Sequence, residues 1–383
     1  MTYKPGTENL ISVDSVLKNK KLGLLTNPSG VDSNLNSTID ALKCRYNLVK
    51  LFAPEHGIRA ERQAGERVAS YKDDRSGLEV ISVYGEKCEN IPDDVECMVY
   101  DIQDVGVRHY SYLYLLGRIM KKCAVQGLPL VILDRYNPLG LSKIFGNILD
   151  DRFSSDVGGY ALATQYAMTV GEFAQYINNE YKIGCDLHVA PCIGLERDKD
   201  YRNYRPHWVL PSPNIPTFDT ALCYVGTVLF EGTNVSEGRG TTKPFEFIGA
   251  PWMRHFEVAK YMKAQQLDGV DFVPVCFRPT FSKHSGELCN GVQTFITDYD
   301  KFDPYRCGLL LLNVIKHLNP EFEFLENDGK KGKTYFIDHL AGTDIIRNND
   351  FEPDNYIESQ KSKLEDFKKK TQNYYIYRHG ILR

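Results

Sequence analysis

One polar stretch, the 16 residues Glu231–Glu246, concentrates side chains that could do chemistry. It holds three carboxylates, one Asn, one Arg, one Lys, four hydroxyl side chains and three glycines. The stretch has neither helical nor strand periodicity, and its charges can be buried cheaply only if each one finds a partner. Glycines let a loop fold tightly, so that acids and bases converge as a binding or catalytic cleft requires. A solvated, salt-bridged loop is the alternative, but the density of unlike groups favours a cleft. We call Glu231–Glu246 the polar loop.

Similar mixtures of acids, amides and cations occur at residues 54–59, 101–112, 134–138, 211–216 and 281–287. Sugars are bound by such side chains together with aromatic faces. Glycosidic cleavage needs one carboxylic acid to protonate the leaving oxygen and a second group on the other face of the ring. Cations near such a site would suit a carboxylate on the substrate. The composition of these motifs is therefore typical of a carbohydrate site.

Three acids follow predicted strands: Glu55, Asp101 and Asp134. In an open parallel sheet, ligands bind outside the carboxyl ends of the strands, so we expect these acids to face one crevice. The alternative for any one of them is that it caps the following helix.

The elements that must position these residues alternate along the first half of the chain. Apolar runs predict strands at 22–26, 48–52, 78–84, 95–100, 128–133 and 185–190. Helices are predicted after a cap near Ser37, over 110–126 with Gly127 at its end, and after Thr169 with Glu172 in a capping box. Continuous apolar strands alternating with helices indicate an α/β fold with a doubly wound parallel sheet.

The second half is less regular and follows a proline-rich segment, 206–216. We expect a Rossmann-like domain over 1–205 and a smaller α/β (α+β) domain over 206–383, with the active site in the cleft between them. Helices are predicted at 217–230, 255–266, 304–318 and 358–374, and strands at 271–278 and 291–297, which we expect to pair with each other.

Several function classes lack support in the sequence. No G-x-G-x-x-G follows a strand, and Gly332-Lys333-Thr334 is not a P-loop end, because Asn327 stands where the upstream glycine is required. His56, His109 and His284 have no metal-ligand spacing, so neither a cofactor nor a metal is predicted. The net charge of −4 gives no basic field for nucleic acid.

The cellular compartment is predicted from cysteines and apolar runs. None of the ten cysteines has C-x-x-C spacing, which suggests a reducing compartment. No apolar run approaches a membrane span and no signal peptide is visible, so a cytoplasmic protein is expected. Trimming of a leader would make a periplasmic or secreted location the alternative.

The chain resembles the exo-acting β-N-acetylmuramidases of glycoside hydrolase family 171 over nearly its whole length. The resemblance is carried by LFAPEHGIR at 51–59, DIQDVG at 101–106, PSPNIP at 211–216, the polar loop, FSKH at 281–284 and FIDHLAGT at 336–343. The polar loop is the most specific of these motifs.

The resemblance implies a bacterial enzyme of cell-wall turnover and recycling. It would release N-acetylmuramic acid (MurNAc) from the non-reducing end of peptide-free peptidoglycan fragments, at the β-1,4 bond to N-acetylglucosamine (GlcNAc). Glu55 would be the catalytic acid. Glu231 and Glu237 are candidates for the second catalytic group, with Glu231 favoured because a predicted helix directly precedes it. A substrate-assisted route, in which the 2-acetamido oxygen attacks the anomeric carbon, would need only an acid and an orienting group.

The candidate substrate-binding residues are His56, Arg59, Asp101, Gln103, Asp104, Arg108, Tyr112, Asn214, Asn234, Arg239, Lys283 and His284. Of these, Arg59, Arg239 and Lys283 are expected to pair with the lactyl carboxylate of muramic acid, and His56 to orient Glu55.

The chain departs from the family pattern at a few positions. Ala60 and Leu141 stand where the family usually has Gly, Tyr136 replaces a Pro, and Phe145-Gly146 replaces a Glu-Gly pair. The changes at 136–146 leave the fragment length and the leaving sugar open.

Two other functions compete with the muramidase reading. A non-catalytic muroglycan-binding protein is disfavoured because positions 55, 231 and 237 are all still acidic. A hydrolase of another kind, acting on a related acidic amino sugar, is disfavoured because no Ser or Cys nucleophile motif and no zinc ligand set is visible.

Overall fold

Two halves of different architecture make up the chain in the computed structural model, which describes residues 2–55, 57–59, 70–83, 91–329 and 332–377. The strands are β1 Lys21–Thr26, β2 Asn47–Ala53, β3 Tyr71–Lys72, β4 Glu79–Ser82, β5 Cys97–Asp101, β6 Leu130–Leu133, β7 Phe145–Ile148, β8 Ala163–Gln165, β9 Leu187–Ala190, β10 Phe247–Ala250, β11 Val270–Phe277, β12 Cys289–Ile296, β13 Glu326–Gly329 and β14 Gly332–Tyr335. The helices are α1 Asp14–Leu17, α2 Thr38–Arg45, α3 Tyr112–Gln126, α4 Val170–Glu180, α5 Tyr201–Tyr204, α6 Phe218–Thr227, α7 His255–Ala264, α8 Pro304–Leu318, α9 Phe336–Ala341 and α10 Pro353–Thr371.

The large sheet has the strand order β3-β4-β2-β1-β5-β6-β9. All of its neighbouring pairs are parallel except the short edge pair β3–β4. The strand order reverses between β1 and β5, as in a doubly wound Rossmann-like sheet, and a crevice opens outside the carboxyl ends at such a point. The predicted α/β fold class is confirmed.

Both faces of the sheet are covered, because successive side chains of a strand point to opposite sides. Leu22 and Leu24 of β1 pack in one core cluster with Leu17 and Leu42 of the flanking helices. Leu25 of β1 packs on the other face, in a cluster that includes side chains of α3 and α4 and continues into α6 and α8. One apolar core therefore runs from the parallel sheet into the second half.

The predicted helix ends are confirmed. The Ser37 hydroxyl accepts a hydrogen bond from the backbone of Ile39, and Gly127 ends α3 in the left-handed conformation with φ 65°. Thr169 and Glu172 form the expected capping box at the start of α4. These local signals act within one helical turn, which is why the sequence alone reveals them.

In the second half, β10, β12 and β11 form an antiparallel sheet that includes the expected β11–β12 pair. The predicted helix 217–230 is α-helical only to Thr227 and continues as the 3-10 turn Val228–Gly232. The predicted C-terminal helix begins at Pro353, five residues early, since a proline fits the first turn of a helix.

No helix among the described residues is long and apolar enough to cross a bilayer.

Candidate active site

Four charged side chains alternate in sign across the polar loop. Lys283 Nζ lies 2.9 Å from one oxygen of Glu237, and Arg239 Nε lies 3.1 Å from the other. Arg239 Nη2 then lies 2.6 Å from Glu231 Oε1. The side chain of Glu237 is 2% exposed and that of Glu231 is 20% exposed. Glu237 is therefore clamped between two cations, while Glu231 forms the open end of the chain. We call these four residues the charge chain.

Burial raises the pKa of Glu231, Arg239 lowers it, and the neighbouring Glu237 raises it again, so that it ends above its usual range. A glutamate in such surroundings keeps its proton to a higher pH than an exposed one, which suits an acid or base in catalysis.

Lys283 holds the backbone beneath the charge chain. Its ammonium group donates to the carbonyls of Phe230, Thr233 and Val235 at 2.6–2.9 Å, in addition to its pair with Glu237. These four acceptors saturate an ammonium group. The expectation that Lys283 pairs with the substrate is therefore not supported, because its donors already fix the start of the polar loop.

Glycines let the loop close over this chain. Gly238 and Gly240 both have φ 78°, and a Cβ at Gly240 would lie 2.7 Å from backbone atoms of Phe281. Phe245 is also left-handed, with φ 63°, and its ring lies 5.0 Å from the guanidinium of Arg239. A bulky residue in this conformation is strained, and such strain is typical of functional loops.

Glu55 follows β2 and lines a separate cavity of about 240 Å³. Ser111 Oγ lies 3.4 Å from Glu55 Oε2 and donates a long hydrogen bond. Tyr112 lines the same cavity, as do Arg118 and Asp156, which are paired at 3.1 Å.

Residues 109–112 lie between this cavity and Tyr224 of α6. Ser111 contacts Glu55, and the ring of His109 lies 6.4 Å from the ring of Tyr224. Burial raises the pKa of Tyr224, and the next largest cause is the carboxylate of Glu231. Ser111 of this segment thus contacts Glu55, whereas Glu231, from the other half of the chain, acts on Tyr224, the ring neighbour of His109.

The 211–216 motif joins this arrangement. The carbonyl of Pro211 accepts from the Tyr110 hydroxyl at 2.5 Å and from Asn27 Nδ2 at 3.3 Å. Asn214 lines a cavity of about 280 Å³ together with Gly240 and Thr241 of the polar loop.

The expectation that three strand-end acids face one crevice is wrong for Asp101 and Asp134, which are both 0% exposed. Asp101 pairs with Arg135 at 2.5 and 2.9 Å and accepts from Thr38, the first residue of α2. Asp134 accepts from Thr169 and Gly171 at the start of α4. The capping alternative holds for Asp134, whereas Asp101 is held in a buried pair with Arg135 and by the Thr38 hydroxyl of α2, a helix that precedes it in the chain.

Arg108 and Asp104 also have structural surroundings instead of an open position. Arg108 is fully buried and donates to Asn147 and to the carbonyls of Leu162, Leu340 and Ala341. Asp104 is 4% exposed and accepts from Gly106 and Tyr166.

Asn234 and His284 brace the polar loop. Asn234 donates to the carbonyl of Glu321 at 2.7 Å and accepts from the backbone of Glu323 at 3.0 Å. His284 Nε2 lies 2.7 Å from the carbonyl of Asn234. Both polar groups are thus taken up by the fold, which corrects the expectation that they bind substrate.

Three candidates remain to be placed. Arg59 pairs with Asp73 through two hydrogen bonds of 3.0 Å, while its side chain stays 45% exposed. Gln103 donates to the carbonyls of Asp104 and Tyr136 at 2.8 Å. His56 lies outside the described residues, as do Ala60 and Tyr84.

Ser111 and Tyr224 belong to this arrangement and were not among the predicted site residues. Ser111 lies inside the 101–112 motif, but nothing in its spacing distinguishes it from its neighbours. Tyr224 lies on α6, where an aromatic residue predicts a buried core position. Only the tertiary fold brings either of them to the acids.

The unusual 136–146 segment is largely packed in a small core. Tyr136 and Leu141 are buried in a cluster with Tyr3 and Tyr377. Among the described residues, no group of three or more His, Cys, Asp or Glu side chains could hold a metal ion.

Comparisons with known proteins place the chain in a family. Family models described as the N-terminal and C-terminal parts of the exo-β-N-acetylmuramidase NamZ match residues 22–219 and 222–377. The peptidoglycan β-N-acetylmuramidase NamZ of Bacillus subtilis (strain 168) is 42% identical over 370 residues, which cover 94% of this chain and 88% of that protein.

Two solved structures of DUF1343 family proteins from Bacteroides fragilis NCTC 9343 are similar over almost the whole chain. One has a TM-score of 0.86 at 31% identity, covering 98% of this chain and 99% of its own. The other has a TM-score of 0.75 at 26% identity, covering 99% and 100%. Two family models that together span most of the chain, and a relative at 42% identity, confirm the resemblance. The chain therefore belongs to the exo-β-N-acetylmuramidase NamZ family.

Proposed function

We propose that this protein is an exo-acting glycoside hydrolase that releases MurNAc from the non-reducing end of peptide-free peptidoglycan fragments by cleaving the β-1,4 bond to GlcNAc. Membership of the NamZ family and the printed activity of the Bacillus subtilis relative support the reaction class. The observation that carries it in this chain is the charge chain, which leaves Glu231 one-fifth exposed with a raised pKa, while Glu55 lies partly exposed in a cavity of its own.

In this proposal Glu55 protonates the oxygen that bridges the two sugars. It is partly exposed in a cavity, and Ser111 fixes the direction of its carboxyl group. Glu231 acts on the other face of the ring, either directly or by orienting the 2-acetamido group of the substrate. Glu237 does not take this part, because it is buried and both of its oxygens face cations.

Arg239 and Arg59 remain candidates for the lactyl carboxylate, since their side chains are 22% and 45% exposed. Each already pairs with an internal acid, so each would have to share its guanidinium group between that acid and the substrate. Gln103, Tyr112 and Asn214, each of which lines a cavity of its own, would contact the sugar.

We also propose the organisation and setting that the sequence suggested. A boundary near residue 205 would place Glu55 in the first domain, 1–205, and the charge chain in the second, 206–383, with the substrate between them. A role in cytoplasmic cell-wall recycling is supported by the nine described cysteines, which are all free thiols, as expected in a reducing compartment.

The activity is tested by incubating the protein with peptide-free MurNAc–GlcNAc and, in parallel, with GlcNAc–GlcNAc. We expect release of MurNAc from the first and little turnover of the second, because only the first carries the lactyl carboxylate. Equal turnover of both would overturn a role for Arg59 and Arg239 in reading that group. Turnover of neither would favour a binding protein.

The role of Glu55 is tested with an activated leaving group. Glu55→Gln should lose turnover of MurNAc–GlcNAc by about 10²–10⁴-fold but keep much of its activity on a nitrophenyl muramide, whose leaving group needs no proton. Glu231→Gln should impair both reactions. A Glu55→Gln variant that is equally impaired on both substrates would contradict the acid assignment, and the anomer released first, followed by NMR, would separate retention from inversion.

A further inference from the structure

A broad groove of about 550 Å³ lies beside the polar loop and has no role in the reaction proposed above. Its aromatic lining comes from Tyr201, Trp208, Phe218 and Tyr299. The groove shares Pro216 with the cavity that contains Asn214, Gly240 and Thr241. Lys243 of the polar loop also lines it. The groove therefore adjoins the cavity that contains Asn214 and two residues of the polar loop.

Arg205 stands out among the lysines and arginines that line this groove and three other cavities. Arg118 pairs with Asp156, Arg135 with Asp101, Arg202 with Asp200 and Asp300, and Lys243 with Glu246. For Arg205 the described part of the chain offers no acid partner, and its one side-chain hydrogen bond runs from Nε to the carbonyl of Arg202. Its two terminal nitrogens therefore stay available at the groove.

The backbone holds Arg205 in an unusual conformation. Arg205 ends α5 in the left-handed region, with φ 44° and ψ 49°, where helices commonly place a glycine. A long side chain at such a position is strained, and strain of this kind persists where the surroundings fix it. Beside it, Trp208 is fixed by a 3.0 Å hydrogen bond from its indole nitrogen to the carbonyl of Ile215. A fixed indole next to an unpaired guanidinium is a combination that binds a sugar face and an acid together.

We infer that this groove is a distal subsite in which Trp208 packs against the continuing glycan strand and Arg205 pairs with the lactyl carboxylate of its next MurNAc. The inference deepens the proposed function and rests on it, because it takes the strand that leaves the cleft as the occupant. Peptide-free strands repeat a free carboxylate at every second sugar, so a fixed cation beyond the cleavage point recognises their length as well as their acid groups. The protein therefore prefers tetrasaccharides to disaccharides.

Binding to the Glu55→Gln variant tests the subsite without turnover. Isothermal titration should show the peptide-free tetrasaccharide MurNAc–GlcNAc–MurNAc–GlcNAc binding about tenfold more tightly than MurNAc–GlcNAc. Arg205→Gln should remove that advantage and leave disaccharide affinity unchanged. Arg205→Asn, which tolerates the left-handed backbone better, should behave in the same way. Arg254→Gln, which removes an exposed arginine outside the groove, is the matched control and should change neither affinity.

A ligand in which the inner MurNAc is replaced by GlcNAc closes the cycle. This ligand should bind about tenfold more weakly than the tetrasaccharide. The Arg205→Gln substitution should then cause no further loss of affinity for it. Equal affinity for both chain lengths, or an Arg205→Gln loss that is the same for both, would overturn the subsite. A dimer that Arg205→Gln dissociates would assign the groove to a second copy of the chain instead.

The outcomes separate the two proposals. Cleavage of the disaccharide by the unmodified protein without any dependence on chain length would overturn only the groove. Dependence of binding on chain length without cleavage would overturn only the hydrolase.

Discussion

At the scale of single residues, the charge chain separates two glutamates that look alike in the sequence. Glu237 faces Lys283 and Arg239 at once, so two cations stabilise its charge in a position that water does not reach. Glu231 has Arg239 as its partner and remains one-fifth exposed. The first therefore supports the loop, and the second is placed to meet a substrate.

This difference predicts opposite effects for two matched substitutions. Glu231→Gln should lower kcat on MurNAc–GlcNAc by about a hundredfold or more while leaving the unfolding free energy nearly unchanged, because the amide keeps one acceptor for Arg239. Glu237→Gln should lower the unfolding free energy by about 3 kcal/mol, because it removes the buried anion between Lys283 and Arg239 and leaves Lys283 without an acid partner. Kinetics and urea unfolding of both variants measure this. A Glu237→Gln protein that is stable but inactive would show that Glu237 is the catalytic residue and Glu231 the supporting one.

The sequence indicated the ingredients of the site but could not rank them. The density of charge in the polar loop, and the placement of Glu55 after a strand, are properties of the chain that can be read directly. Whether an acid is clamped between two cations, as Glu237 is, or held in a buried ion pair, as Asp101 is, depends on partners far along the chain. Thr38 and Arg135, which hold Asp101, lie 63 and 34 residues away from it.

At the scale of elements, α6 positions the polar loop, since the turn with Glu231 follows α6 directly. The position of α6 depends in turn on its close contact with α8. The two helices meet at Gly226 and Gly308. A Cβ on Gly308 would lie 2.5 Å from the Cα of Gly226. Sequence periodicity predicted both helices, but this meeting of two glycines depends on tertiary packing and has no local signal.

Gly308→Ala tests this packing. In an isolated helix the change would stabilise by about 1 kcal/mol, but here the methyl group meets backbone that cannot move aside. We therefore expect a loss of about 2 kcal/mol or more in the free energy of unfolding, with a higher KM where the polar loop shifts. Ser362→Ala, at an exposed position of α10, is the control and should stay within about 0.5 kcal/mol of the wild type. A stabilised Gly308→Ala protein would show that the helices can separate freely.

At the scale of the whole molecule, the two halves share one apolar core. Arg108, in the first half, also donates to the carbonyls of Leu340 and Ala341 in α9. We expect a single cooperative unfolding transition, with equal calorimetric and van't Hoff enthalpies, although two family models divide the chain. Residues 1–205 expressed alone should not fold, because their half of the core would lie open. Two separate transitions in calorimetry would show that the interface contributes little.

The same burial makes stability depend on pH, and Asp104 provides the test. Burial raises its pKa to about 6, even though Tyr166 and Gly106 donate to one of its oxygens. Between pH 4 and 6 the folded state therefore holds a proton that the unfolded state has lost, so this group's contribution to stability falls as pH rises through that window.

Asp104→Asn removes the titration. The free energy of unfolding of Asp104→Asn should equal that of the wild type near pH 4. At pH 7 it should be higher by up to about 3 kcal/mol, because a charged carboxylate is no longer buried. Urea unfolding at several pH values measures the difference, and Asp268→Asn, at an exposed position, is the control. Parallel stability curves for the wild type and Asp104→Asn would mean that Asp104 is charged throughout this pH range.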